Sequence, residues 1–223
     1  MKIIGINASP NGSSGNTGQV LTALLDGARE AGADVQVFLL GELTVKPCRS
    51  CRVCQRIGTC AIEDDYPKIK AALLEADGMV LATPNYIYNV SAQLKALLDR
   101  SFSMFHCQML AGKYGAAVLT SGGPLYQQVE EYLMHVIGNS GCWKVGSITA
   151  MEVQLRDPEE KAQALKEAAS LGRRLAAAIS NRMRFPDQEA EREQCFEMMR
   201  WLVEQEKDSW PYEYEYWQEH WGT

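Results

Sequence analysis

The sequence of 223 residues lacks any hydrophobic run that approaches the roughly 20 residues a membrane-spanning helix needs. Its first ten residues lack the basic segment, long apolar run and small-residue cleavage site of a secretory signal peptide. Positive charge is scarce as well, because 22 Lys and Arg stand against 28 Asp and Glu, a net charge of -6. These absences predict a cytoplasmic protein with neither a membrane nor a nucleic acid as partner.

Histidine is also rare. The three histidines, His106, His135 and His220, are isolated, and the sequence shows no triad pattern around them. We therefore interpret each of them as structural and predict no catalytic side chain.

Short β-rich runs alternate with amphipathic helical stretches over residues 1–181. The runs are almost continuously apolar, which is typical of parallel strands buried on both faces. Strands are predicted at residues 2–7, 35–40, 79–83, 116–120 and 145–151. Helices are predicted at residues 17–31, 67–76, 125–137 and 157–181, with one more capped by Ser91. This alternation predicts a doubly wound α/β domain, either a five-stranded sheet in the order 2-1-3-4-5 or a fragment of a dinucleotide-binding fold.

The loop after the first strand favours the five-stranded order. Residues 8–17 are polar and glycine-rich and lead into a helix, whose N-terminal amides and dipole attract an anion. The loop has no Walker lysine and no G-x-G-x-x-G, so a nucleotide triphosphate or a pyrophosphate is not expected. A monophosphate remains, and FMN carries one; the alternative is an ordinary loop before a capped helix. The expected side-chain donors are Ser9, Asn11, Ser13, Ser14, Asn16 and Thr17.

Two further loops should meet the flavin ring. In this fold class the ligand lies beyond the carboxyl ends of the strands, at the switch point between the first and third strands. The loops after the third and fourth strands reach that edge and offer aromatic surface, backbone amides and glycines that permit close approach. The predicted ring contacts are Pro84, Asn85, Tyr86, Ile87, Ser121, Gly122 and Gly123.

Four of the seven cysteines lie within thirteen residues. Cys48, Cys51, Cys54 and Cys60 are spaced closely enough to converge on one centre, and arginines alternate with them. A [4Fe–4S] cluster is the favoured interpretation; free or redox-active thiols, structural zinc and unligated packing residues are the alternatives. The scattered Cys107, Cys142 and Cys195 are interpreted as core or interface residues.

These motifs together resemble the NAD(P)H-dependent FMN reductase branch of the flavodoxin-like proteins. The resemblance covers about residues 1–180 and is carried by Ser9-Pro10, Gly15-Asn16-Thr17, Thr83-Pro84-Asn85-Tyr86, Ser91-Ala92-Gln93-Leu94-Lys95, Asp99-Arg100 and Ser121-Gly122-Gly123. It implies that Ser9, Asn11, Ser14, Asn16 and Thr17 hold the FMN phosphate, and that Pro84, Asn85, Tyr86, Ile87, Ser121 and Gly122 line the ring. The cysteine spacing is similar to that of iron–sulfur flavoproteins in the same family, although relatives with a similar loop and no demonstrated cluster also belong to this branch.

Three functions follow as hypotheses. The favoured one is an iron–sulfur flavoprotein that receives electrons from a small redox protein such as ferredoxin. The second is a cluster-free NAD(P)H-dependent FMN or quinone reductase, in which the nicotinamide docks transiently on the flavin. The third is a flavodoxin-like scaffold with zinc, used for assembly.

Residues 182–223 differ in character from the preceding domain. A helix is predicted at residues 187–207, and an aromatic, acidic segment follows at residues 210–221. Four of the five tryptophans fall in the last 23 residues. Exposed aromatics are enriched at interfaces, so we expect this extension to contact a second subunit in a homodimer or homotetramer. The alternative is that it packs on its own domain.

Overall fold

A five-stranded parallel sheet forms the centre of the computed structural model, which describes residues 1–222. The strands lie in the order β2-β1-β3-β4-β5, and every neighbouring pair is parallel. They are β1 (Lys2–Asn7), β2 (Asp34–Leu39), β3 (Gly78–Pro84), β4 (Tyr114–Ser121) and β5 (Trp143–Met151). The order confirms the flavodoxin-like topology predicted from the sequence, and a dinucleotide-binding fragment is excluded.

Helices cover both faces of the sheet. They are α1 (Asn16–Glu30), α2 (Val53–Ile57), α3 (Tyr66–Glu75), α4 (Ala92–Asp99), α5 (Phe102–His106), α6 (Gln127–Asn139), α7 (Glu152–Arg156), α8 (Pro158–Ser180), α9 (Pro186–Gln205) and α10 (Pro211–His220). None of these helices, within residues 1–222, combines the length and the apolar character needed to cross a bilayer.

Two apolar layers hold the helices to the sheet. On one face, Ile3 of β1 packs with Leu24 of α1 and Leu171 of α8. On the other face, Ile4 and Ile6 of β1 belong to a cluster that includes α3, α4 and α6. Every residue of β3 and β4 is buried, which accounts for their uninterrupted apolar sequences.

The sequence pattern did not predict the three shortest helices. The helices α2, α5 and α7 contain five residues each, which is too short for a 3.6-residue periodicity to be visible. The helix α2 lies inside the cysteine loop, between left-handed Arg52 and left-handed Gly58.

The C-terminal extension packs against the domain of its own chain. Trp210 and Trp217 are buried in a cluster with Cys107 and Val203, and α10 lies against α2. Trp201 remains 63% exposed on α9, and Trp221 is also exposed. Contact with its own domain therefore accounts for part of the aromatic segment, while the contact with a second subunit stays a prediction.

Candidate functional site

The loop between β1 and α1 has a shape set by its own hydrogen bonds. The Asn7 side chain donates to the Gly12 carbonyl at 2.9 Å and accepts from the Ser9 amide at 3.0 Å. The Gly12 amide donates to the Ser9 carbonyl, and the Ser14 hydroxyl donates to the Asn11 carbonyl at 3.2 Å. The loop is therefore arranged before any ligand arrives, which lowers the entropic cost of binding.

This loop lies directly on the first turn of α1. A Cβ atom on Gly18 would come within 2.4 Å of the Gly12 carbonyl oxygen, so only glycine permits this approach. Within residues 1–222 no side chain caps the helix at Gly15, and the first turn contains no acidic residue. Its N-terminal amides and the positive end of its dipole are consequently available to an anion.

A strained turn follows β3. The amide of Tyr86 donates to the carbonyl of Asn89 at 2.8 Å, and the reverse bond measures 3.1 Å. The two central residues are left-handed, with φ of 50° at Ile87 and 59° at Tyr88. A β-branched residue rarely adopts this conformation, and such strain concentrates at functional sites. Ile87 is also 90% exposed, so the turn presents apolar surface to solvent.

Two adjoining cavities open where these loops meet. The first, of about 190 Å³, is lined by Ser9, Asn11, Asn16, Thr17, Pro84, Asn85, Tyr86, Thr120, Ser121, Gly122 and Glu152. The second, of about 340 Å³, is lined by Asn85, Ile87, Tyr88, Ser121, Gly122, Gly123, Pro124 and Leu125. Because they share Asn85, Ser121 and Gly122, they form one cleft with a polar end and a more apolar end.

Asn85 holds the centre of this cleft. Its amide nitrogen donates to the Ser121 hydroxyl at 3.1 Å and to the Leu125 carbonyl at 3.0 Å. Its side-chain oxygen is buried and finds no hydrogen-bond partner among the described residues. A buried orphan acceptor indicates a donor supplied by a ligand, and a flavin ring carries an N–H of this kind. The residues of the cleft therefore fit FMN.

Most of the predicted cofactor residues line the cleft. Ser13 and Ser14 line neither of the two described cavities, since the Ser14 hydroxyl bonds within its own loop. The sequence prediction missed Thr120, Glu152, Tyr88, Pro124 and Leu125. Thr120 and Glu152 carry a signal that could have identified them, because both lie at the carboxyl ends of strands β4 and β5.

A third cavity, of about 280 Å³, brings together the four clustered cysteines. Its lining includes Cys48, Cys51, Cys54 and Cys60, and also Arg49, Ser50, Arg52, Gln55, Ile62, Arg100, Phe102, His106 and Trp210. The Ser50 amide donates to the Cys48 sulfur at 3.4 Å. In the described part of the chain, no three His, Cys, Asp or Glu side chains are grouped so as to hold a single metal ion.

The chemistry of this donor set fits an iron–sulfur cluster. Four cysteines line one cavity, an amide donates to the sulfur of one of them, and the cationic side chains of Arg49 and Arg52 can offset the charge of thiolates. Burial raises the pKa of Cys54 above its ordinary value, a hydrogen bond from Ser103 lowers it, and nearby Glu213 and thiols raise it further. Of the other three clustered thiols, Cys48 and Cys60 therefore lie close enough to Cys54 to affect its pKa.

A buried ion pair closes the base of the cysteine loop. The Arg100 guanidinium bonds both carboxylate oxygens of Asp64, at 2.5 and 3.1 Å, and both side chains are inaccessible to solvent. Arg100 also donates to the carbonyls of Lys46 and Ile62, so it joins the two ends of the loop. Burial alone would raise the pKa of Asp64, but Arg100 and the amides of Lys46 and Tyr66 lower it below its usual range.

Helix α4 connects the two sites. At one end, the hydroxyl of its cap Ser91 donates to the Ala8 carbonyl at 2.7 Å, beside the cleft. At the other end, Arg100 lines the cysteine cavity. The span from Ser91 to Arg100 corresponds to about 13 Å along a helix axis.

A flavodoxin-like sheet with a mononucleotide-sized cleft at its switch point defines a class of protein, the flavin-dependent oxidoreductases. Residues 1–155 match the family model described as NADPH-dependent FMN reductase. The chain belongs to this family and is an FMN-dependent oxidoreductase. The match confirms the resemblance carried by the sequence motifs.

Similar proteins include iron–sulfur flavoproteins of archaea. One from Archaeoglobus fulgidus is 29% identical over 223 residues, which cover 98% of each chain. One from Methanocaldococcus jannaschii is 32% identical over 189 residues, which cover 80% of this chain and 97% of the relative. Among solved structures, RosB with bound 8-demethyl-8-formylriboflavin-5′-phosphate has a TM-score of 0.67 at 13% identity. It covers 89% of this chain and 87% of that chain, a likeness that shows the fold.

Proposed function

We propose that this chain is an iron–sulfur flavoprotein that binds FMN in the cleft and a [4Fe–4S] cluster on Cys48, Cys51, Cys54 and Cys60. It passes electrons between a small redox protein such as ferredoxin, the cluster and the flavin. The observation that carries the proposal is that all four cysteines line one cavity, among cationic side chains. The names of the similar archaeal proteins support it.

In this proposal the polar end of the cleft receives the phosphate. The amides of the first turn of α1 and the side chains of Ser9, Asn11, Asn16 and Thr17 supply donors. Ser13 and Ser14 contribute through the shape of the loop. Among residues 1–222 no lysine or arginine lines this end, so backbone dipoles supply the attraction.

The more apolar end of the cleft receives the ring. Ile87 offers apolar surface at this end, Pro84 and Tyr86 offer it in the adjoining first cavity, and Gly122 and Gly123 allow the backbone to approach a flat molecule. Asn85 accepts from the ring through its orphan oxygen, and Ser121 fixes the Asn85 amide. When bound, FMN accepts a hydride or releases single electrons, and a cluster carries one electron at a time.

A second candidate function is a cluster-free NAD(P)H-dependent FMN or quinone reductase. The exposed apolar residues Ile87, Tyr88 and Leu125 around the second cavity favour it, because they leave an open surface on which a second flat molecule can stack. In that case the four thiols remain unligated, and NAD(P)H supplies the electrons.

Analysis of anaerobically purified protein separates the two functions. We expect about one FMN, about four iron and about four sulfide per chain, with a broad brown absorbance. Riboflavin, which lacks the phosphate, should bind to the apoprotein more weakly than FMN, because the polar end then stays unfilled. Yellow protein that oxidises NADPH without iron would establish the reductase instead. Equal affinity for FMN and riboflavin would contradict the phosphate site.

A further inference from the structure

Helix α10 of the C-terminal extension lies directly on the cysteine loop. A Cβ atom on Gly58, at the end of α2, would come within 2.4 Å of the Tyr212 ring. Within the same loop, the Cys54 carbonyl oxygen lies 3.5 Å from the Ser103 hydroxyl oxygen of α5, which donates its proton to Glu213. The extension and α5 therefore form walls around the segment that holds the cysteines.

A buried carboxylate fixes the position of this helix. Glu213 is fully buried, and its oxygens accept from the Ser103 hydroxyl at 2.7 Å and pair with His106 Nδ1 at 2.9 Å. The Trp217 indole donates to the His106 carbonyl at 2.9 Å, and the Trp221 indole donates to the Cys107 carbonyl at 3.1 Å. These contacts leave α10 little freedom relative to α5.

Trp210, which precedes α10, belongs to the cysteine cavity. Its ring stacks on the His106 imidazole with centroids 4.9 Å apart, and both residues line the cavity together with the four cysteines. Trp210 is 8% exposed, and its indole N–H is buried without a partner among residues 1–222. Arg100, which lines the same cavity, has a buried Nε without a hydrogen-bond partner in this part of the chain, and its guanidinium lies close to the Cys60 thiol.

Trp210 lines the same cavity as four cysteines, and its buried, unpartnered indole N–H indicates an acceptor there. The indole N–H can only donate, and a buried donor is normally hydrogen-bonded. The thiolates and sulfides of a cluster are acceptors, and the reduced cluster, which carries one more negative charge, accepts more strongly than the oxidised one.

We propose that the C-terminal extension completes the cysteine site, with the Trp210 indole N–H donating to a sulfur of the bound cluster. Trp210 is then a positioning residue that raises the reduction potential of the cluster. This inference rests on the proposed function, since it requires the cluster. It assigns to residues 182–223 a role inside their own chain.

The test is a redox titration of anaerobically purified holoprotein, followed by electron paramagnetic resonance. Trp210→Phe keeps an aromatic ring on His106 and removes the donor. We expect the one-electron equilibrium to shift about tenfold toward the oxidised cluster, which lowers the potential by about 59 mV. Iron content and the flavin potential should not change. Trp201→Phe makes the same chemical change on the exposed face of α9 and should match the wild type.

A second measurement covers the case in which the Trp210→Phe variant loses its cluster. Reduced wild-type protein with an isotopically labelled indole nitrogen should show a hyperfine coupling between that nitrogen and the cluster. Absence of the coupling, or an unchanged potential in Trp210→Phe, overturns the inference. The iron and sulfide content of the wild-type protein is measured before any variant is compared. Wild-type protein without iron and sulfide would refute the proposed function itself.

Discussion

Ile87 and Tyr88 adopt a backbone conformation that their bulky side chains disfavour. Both are left-handed and exposed, and neither bulky side chain favours that region. Each such residue costs about 1–3 kcal/mol. In the proposed function, this strain is the stability cost of the apolar surface that the turn presents to the flavin ring.

Replacing Ile87 should separate the effect of backbone strain on stability from the effect of the side chain on FMN binding. Ile87→Gly is expected to stabilise the apoprotein by about 1 kcal/mol, because glycine adopts positive φ without strain. The same change should weaken FMN binding, because an apolar ring contact is lost. Thermal unfolding of the apoprotein and fluorescence quenching of FMN measure the two quantities.

Arg182 provides the matched control. It is left-handed, with φ of 48°, and exposed at the end of α8, away from the cleft residues. Arg182→Gly should also raise stability and should leave FMN binding unchanged. If Ile87→Gly bound FMN as tightly as the wild type, the Ile87 side chain would not contact the ring.

Among the elements, the short helix α2 depends on its neighbours for its position. It has five residues, starts after left-handed Arg52 and ends at left-handed Gly58, so it is too short to be stable alone. Its position comes from α10, whose Tyr212 ring occupies the space beside Gly58.

Gly58→Ala should therefore disturb the cysteine site. Gly112→Ala is the control, because φ is close to +80° at both glycines, while a Cβ on Gly112 meets nothing within 4 Å. We expect Gly58→Ala to be about 2 kcal/mol less stable than Gly112→Ala in chemical denaturation, as for an overpacked core. It should also retain less iron and sulfide at an unchanged FMN content.

Removing the Tyr212 ring should reverse the loss of stability in Gly58→Ala. The double variant Gly58→Ala/Tyr212→Ala is expected to recover part of the stability, since the ring no longer meets the new methyl group. Equal behaviour of Gly58→Ala and Gly112→Ala would show that α10 does not hold the cysteine loop in place.

For the whole molecule, the Asp64–Arg100 pair couples global stability to pH. The pKa of Asp64 in the folded protein lies below its unfolded value of 3.8. The pair therefore contributes its full stability above about pH 4 and loses it as the pH falls through the folded pKa.

Asp64→Asn should reveal this contribution. Removing one partner of a buried ion pair costs about 3–5 kcal/mol, because the remaining charge stays buried without compensation. We expect a loss of about 3 kcal/mol at pH 7, measured by denaturant unfolding, and a weaker decline of stability in acid than in the wild type. Glu63→Gln removes a neighbouring exposed charge and should change little. A wild-type acid profile in Asp64→Asn would contradict this role.

Much of the fold could be predicted because its signals are local. The apolar runs that predicted the strands are continuous in the chain, and the order 2-1-3-4-5 followed from the loop chemistry of residues 8–17. Short helices were missed because five residues hold no visible period. In the cleft, neither Ser13 nor Ser14 lines a described cavity, and the sequence could not show that the Ser14 hydroxyl bonds within its own loop.

The sequence by itself determined the class of sheet, a phosphate-type loop and a compact set of four cysteines, because each of these depends on residues close together in the chain. Only the tertiary structure decided what surrounds the cysteines. Arg100, His106 and Trp210 come from distant segments and meet in one cavity. Glu213, an acidic residue in the aromatic C-terminal segment, is fully buried against His106. Such placements depend on the packing of whole helices, and no periodicity of a single segment encodes them.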